Sequence, residues 1–177
     1  MQLEMRKTIN TSTSGNTLSG YAVLWDAESR TIHEQGRVFT ETFARDAFDL
    51  TNSEDDVKLY YNHDTNMPLA RTNNGSLRLF QDDKGLRFEA DLPDTTLAND
   101  VKELLNRGTL TGEMSFGFRT IRDTWSPDKK KRQVNKANLA EISVVVDAAY
   151  PSTYSQLRNA QTEITNKRIN LIRRRLK

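Results

Sequence analysis

The chain has 177 residues, enough for one domain with a real core; 36% are hydrophobic and 28% charged. It contains no cysteine, which excludes a thiol nucleophile, a disulfide framework and every cysteine-ligated metal site. The formal charge of +2 is uneven: residues 167–177 carry six basic side chains and no acid, which leaves −4 on the rest.

In chain order, residues 3–10 are predicted as a first strand, and the polar run 11–16 as a loop. Residues 18–24 alternate as a second strand. Residues 25–36 read as irregular, with His33 a solvated loop histidine. A strand over 38–43 is followed by a short helix over 44–48. Residues 57–61 form another strand, ending at Asn62, His63 and Asp64. Residues 67–71 then lead into Asn73-Asn-Gly75, a strong turn signal.

A hairpin is predicted from 76–81 and 86–92, with Gly85 taking a positive-φ position. Leu97, Val101, Leu104 and Leu105 recur at helical spacing. They predict a helix over 94–107, with Asp94 or Thr95 capping its start and Gly108 its end. Residues 112–119 read as a strand, residues 125–132 as a solvated hairpin end, and 139–146 as a strand buried on both faces near its end. The last segment, from 155, reads as a helix leaving the body. No apolar run has transmembrane length, and the first residues lack the apolar core of a signal peptide. Many strands on short turns, with one firm helix among them, indicate a mainly β domain: a closed or nearly closed barrel with peripheral helices. The body is placed at 1–158 and the basic tail at 159–177.

Three polar residues on these strands can make a site. In Gly112-Glu-Met-Ser-Phe-Gly-Phe118, alternation puts Phe116 and Phe118 on one face and Ser115 on the other, with Gly117 leaving space beside it. A serine hydroxyl needs a base within hydrogen-bond reach, and the chain has two histidines, His33 and His63. So few histidines nearly exclude a multi-histidine metal centre. Glu141 points away from its apolar neighbours Ala140 and Ile142, and its carboxylate could hold an imidazole in one tautomer. Simpler roles exist for each: an ordinary strand serine, a histidine hydrogen-bonded at a strand end, and Glu141 paired across strands with Arg119 or another strand cation.

Four segments in fixed order resemble the tailed-phage prohead (procapsid) maturation proteases. They are Glu41-Thr-Phe-Ala-Arg-Asp-Ala-Phe48; the run Val57–Arg71 containing Asn62-His-Asp64; Gly112-Glu-Met-Ser-Phe-Gly-Phe118; and Leu139-Ala-Glu-Ile-Ser-Val-Val145 with the Ala148–Thr153 stretch. The likeness runs from about Gly20 to Arg158. It implies a serine endopeptidase on a β-barrel similar to herpesvirus assemblin, with no cofactor and no metal. By the match of motifs, Ser115 is the expected nucleophile, His63 the base and Glu141 the third member, with Asp64 or Asp147 as its alternatives. Ser143 is read as silent. The family often carries glycine where this chain has Asp46 and Ala70, and proline where it has Ala148, which bears on loop shape more than on chemistry.

The resemblance also implies partners: the scaffold and major capsid protein of the prohead, the enzyme itself as a substrate, and room for a homodimer, inside an assembling prohead in the host cytoplasm. No membrane is expected. The basic tail is read as a tether to an acidic scaffold in preference to a nucleic-acid grip. Two other classes fit the composition: a catalytically silent barrel serving as a capsid or tail part, and a basic-tailed nucleic-acid-binding barrel.

Overall fold

A computed structural model describes residues 4–9, 11–14, 16–34, 36–50 and 56–146, with side chains from residue 16 onward. Its strands are β1 (Glu4–Ile9), β2 (Thr11–Ser14), β3 (Thr17–Leu24), β4 (Ile32–Glu34), β5 (Arg37–Phe43), β6 (Lys58–Tyr61), β7 (Pro68–Arg71), β8 (Leu77–Gln81), β9 (Gly85–Asp91), β10 (Glu113–Trp125) and β11 (Lys131–Val145). One helix, α1 (Thr96–Asn106), lies between β9 and β10.

The described residues form a mainly β fold of two sheets. One runs β1-β10-β11-β5-β4, with β6 added on β11 and β7 on β6; the other runs β2-β3-β9-β8. The 15-residue β11 is the template of the first sheet. One edge carries β10 antiparallel along nearly its whole length. The other carries two shorter strands in parallel, β5 against Lys131–Val134 and β6 against Glu141–Val144. Between them Phe48 makes a single parallel bridge to Ala137.

The closed barrel expected from sequence is not formed: the ladders leave two open sheets. β1 lies beside β3, and β7 beside β8 and β9, but β3 already has β2 on one edge and β9 on the other. The β2 pairing occupies Thr17–Gly20 of the edge that β1 would have to join, and β1 makes no ladder with the rest of it. The 11–14 segment expected as a loop is that blocking strand, and its alternation of hydroxyl residues does not reveal it.

Four rings behind the Ser115 strand make the centre of the core. Phe43 stacks on Phe48 at 5.6 Å between centroids and meets Phe116 and Phe118 edge-on at 5.1 and 4.9 Å. All four are essentially buried. The short helix expected at 44–48 is instead a turn, with Asp46 at φ 57. The turn delivers Phe48 to its bridge on β11, which a helix would not do. His33 sits on the edge strand β4 and not in a loop, though it is exposed as expected.

The helix α1 forms where periodicity put it. Thr95 caps it, its hydroxyl accepting from Ala98 N at 3.3 Å, and Ala98, Val101 and Leu105 face the core. Gly108 follows in the left-handed region at φ 72, as a helix-ending glycine does. Gly85 serves a different purpose from the one expected. Its φ is not positive; a Cβ there would lie 2.0 Å from the Val23 carbonyl oxygen, so it is glycine for close approach of two strands. The turn itself is held by Asp82, whose carboxylate accepts from Lys84 N and Gly85 N at 2.8 and 3.1 Å. Burial, helped by the 2.6 Å hydrogen bond it donates to Asp82, raises the Tyr21 hydroxyl to about 12.

The hairpin at 125–132 is solvated only in part. Arg132 is nearly buried and bonds Glu41 at 3.0 Å, Asp123 at 2.8 Å and Thr120 at 2.7 Å. A buried charge holds where it is paired and hydrogen-bonded on several sides. Composition could not separate this arginine from the lysines beside it, since the distinction lies in Glu41 on another strand. Near the end of β11, Ile142 to Val145 are buried on both faces as expected, whereas Val146 is half exposed. The basic tail and its expected helix lie outside the described residues, as does Asp147.

Candidate active site

The site lies on the face of the first sheet opposite the phenylalanine cluster. On β10, Met114, Phe116 and Phe118 face the core, so Glu113, Ser115 and Gly117 face the other way. The ladder sets Ser115 opposite Ser143 and Gly117 opposite Glu141. Residues directly opposite share a face. Ser115, Ser143 and Glu141 therefore stand on one face of two adjacent strands. A register break falls immediately beyond, between Gly117 and Phe118.

His63 arrives from β6, on the other side of β11. The last bond of that parallel pairing is Asn62 N to Val144 O at 2.7 Å. The chain then reverses, with Asn62 at φ 52 and His63 at φ 62. Two successive left-handed residues without glycine are rare, and asparagine and histidine are among those that tolerate the region best. Backbone bonds hold the reversal: Asp64 N to Tyr61 O at 3.0 Å, Met67 N to Asp64 O at 2.9 Å and Tyr61 N to Met67 O at 3.1 Å.

The outcome is a 2.6 Å contact between His63 Nδ1 and Glu141 Oε1. The Glu141 side chain is 8% exposed and that of His63 26% exposed, so the pair is sheltered on the carboxylate side and open on the imidazole side. With a carboxylate accepting at Nδ1, a neutral imidazole here carries its one proton on Nδ1 and presents its lone pair at Nε2. Ser115 is fully buried.

The structure thus brings Glu141 to His63 and puts Ser115 on the same sheet face. Asp64 is engaged elsewhere: its Oδ1 accepts from Asn66 N at 2.8 Å and from Asn66 Nδ2 at 3.0 Å, which shapes the turn. Arg119 is exposed and opposite Asn138 in the ladder, so the cross-strand pair with Glu141 is not made. His33 lies on β4, two strands beyond β11. Among the described residues, no group of three or more histidines or carboxylates could hold a metal ion. Nothing in the sequence beyond Asn62 itself signals the left-handed pair at 62 and 63.

Compared with known proteins, residues 2–168 match the family model described as Caudovirus prohead serine protease. No curated protein and no solved structure matches the chain.

Proposed function

Because this chain belongs to the Caudovirus prohead serine protease family, and is thereby a serine peptidase of phage capsid maturation, we propose that Ser115 is its nucleophile, His63 its general base and Glu141 the carboxylate that orients the base. The observation that carries this reading is the 2.6 Å His63–Glu141 contact on the sheet face that Ser115 shares. Glu141 accepts a hydrogen bond from Nδ1–H, fixes the imidazole plane and stabilises the imidazolium. That leaves Nε2 to take the proton from Ser115 Oγ as the hydroxyl attacks a peptide carbonyl. The same Nε2 proton then passes to the leaving amine. Water repeats the sequence on the acyl-enzyme. With Ser115 buried and His63 partly open, the substrate approaches from the histidine side.

The substrates we assign are prohead proteins: scaffold or the scaffold-like segment of the major capsid protein, and the enzyme's own chain. The basic residues 167–177 suit a tether to an acidic scaffold by charge. The work is placed inside the prohead in the host cytoplasm.

Co-expression with the same phage's major capsid protein tests the proposal. A shortened capsid protein is expected with the wild type and full-length protein alone with Ser115→Ala. Shortening that persists with a folded Ser115→Ala chain overturns it.

A further inference from the structure

Two buried side-chain atoms among the described residues have no hydrogen-bond partner, Gln81 Oε1 and Ser143 Oγ. Buried polar atoms are nearly always paired, since leaving one unpaired forfeits its hydration without return. An orphan in a site is a place to look for a missing ligand. Gln81 lies on the edge strand of the second sheet and is explained by nothing near the chemistry. Ser143 is different. It is fully buried, directly opposite Ser115 in the β10–β11 ladder, and two residues along β11 from Glu141 on the same face.

We propose that Ser143 is a further catalytic residue: its hydroxyl donates a hydrogen bond to the oxygen of the carbonyl that Ser115 attacks. Opposed residues on antiparallel strands have their Cβ atoms about 4.5–5.5 Å apart. Two hydroxyls on such a pair can therefore reach two adjacent atoms of one small group. As Ser115 Oγ closes on the carbonyl carbon, a C–O bond forms and the π pair of the carbonyl moves onto its oxygen. The Ser115 proton goes to His63 Nε2. Ser143 keeps its own proton throughout and turns it toward the new oxyanion. A donor already desolvated and without a partner needs no bond broken before it acts, which is the condition for strong transition-state stabilisation. The proposal rests on Ser115 as nucleophile, and it reverses the expectation that Ser143 is silent.

The probe is an alkyl fluorophosphonate, which phosphonylates an activated serine and develops charge on its phosphoryl oxygen at the oxyanion position. Labelling rates are measured on the full chain for the wild type, Ser143→Ala, Ser143→Cys and Ser115→Ala, with melting temperatures beside them. Loss of one side-chain donor costs roughly 10²–10³-fold in rate. Ser143→Ala is expected to show that loss with an unchanged or higher Tm, because removing an unpaired hydroxyl relieves a penalty. Ser143→Cys fills the same space with a weak donor and is expected to be as slow, which separates the hydroxyl from packing and covers the case of a poorly folded alanine variant. Wild-type rates in a folded Ser143→Ala or Ser143→Cys chain overturn the proposal and leave Ser115 standing. Labelling of Ser115→Ala at the wild-type rate overturns the nucleophile itself, and this proposal with it.

Discussion

At the scale of single residues, the account turns on which carboxylate serves His63. Glu141 is in contact and Asp64 is spent on its own turn. If Glu141 fixes the imidazole, Glu141→Gln keeps the size and loses the charge that stabilises the imidazolium; losing a triad carboxylate costs up to ~10⁴-fold in turnover. We expect that loss at a nearly unchanged Tm, and near-wild-type turnover from Asp64→Asn, measured on capsid protein cleavage. Normal turnover in Glu141→Gln would remove Glu141 from the mechanism. The three residues were legible as candidates because each stands out against its neighbours: a serine between a methionine and a phenylalanine, a histidine among two, a carboxylate in an apolar strand. Their assembly was not legible, because it depends on Asn62 and His63 leaving the β region, a conformation asparagine permits without requiring. Asp46, which stands where the resembling family often has glycine, shows the reverse: its φ of 57 gives that glycine its physical reason.

At the scale of elements, β6 and β7 must be held firmly for His63 to be held at all. Asp56 does this from the start of β6. It pairs with Lys58 at 3.1 Å and with Arg71 at the end of β7, and it accepts from Asn73 N at 3.2 Å. The Arg71 guanidinium beside it lowers the Asp56 carboxyl to about 2. In the unfolded chain an aspartate protonates near ~3.9. The folded state therefore binds its proton later, and the stabilisation is complete above that unfolded value and lost as pH falls from there through about 2. Asp56→Asn should lower the melting temperature at neutral pH by the equivalent of about 0–1 kcal/mol, since Arg71 is partly exposed. It should also flatten the fall in Tm between pH 4 and 2, both of which thermal melts across pH would show. An acid limb unchanged by Asp56→Asn would assign that fall to other carboxylates. Elements with clean local signals were readable in advance: α1 from its leucines and valine, β3 from alternation, β8 and β9 from the turn between them. The failures, β2 and β4, are short strands whose pairing is set by a neighbour and not by their own apolar residues.

At the scale of the molecule, one long strand organises both stability and chemistry. The start of β11 carries Arg132 in its buried ion pair with Glu41, and its far end carries Glu141 and Ser143. The strand of Ser115 lies on one edge and the strand that leads to His63 on the other. This placement joins residues 78 positions apart in one hydrogen bond, which no local pattern can announce. The barrel expectation failed at the same scale. Strand count and turn spacing specify strands but not which edge is already taken. Activation of Ser115 through His63 is read out by fluorophosphonate labelling mapped to the residue by mass spectrometry. A single adduct on Ser115 is expected in the wild type, and none in a folded His63→Ala chain. An adduct on another serine, or equal labelling of Ser115 without His63, would contradict it.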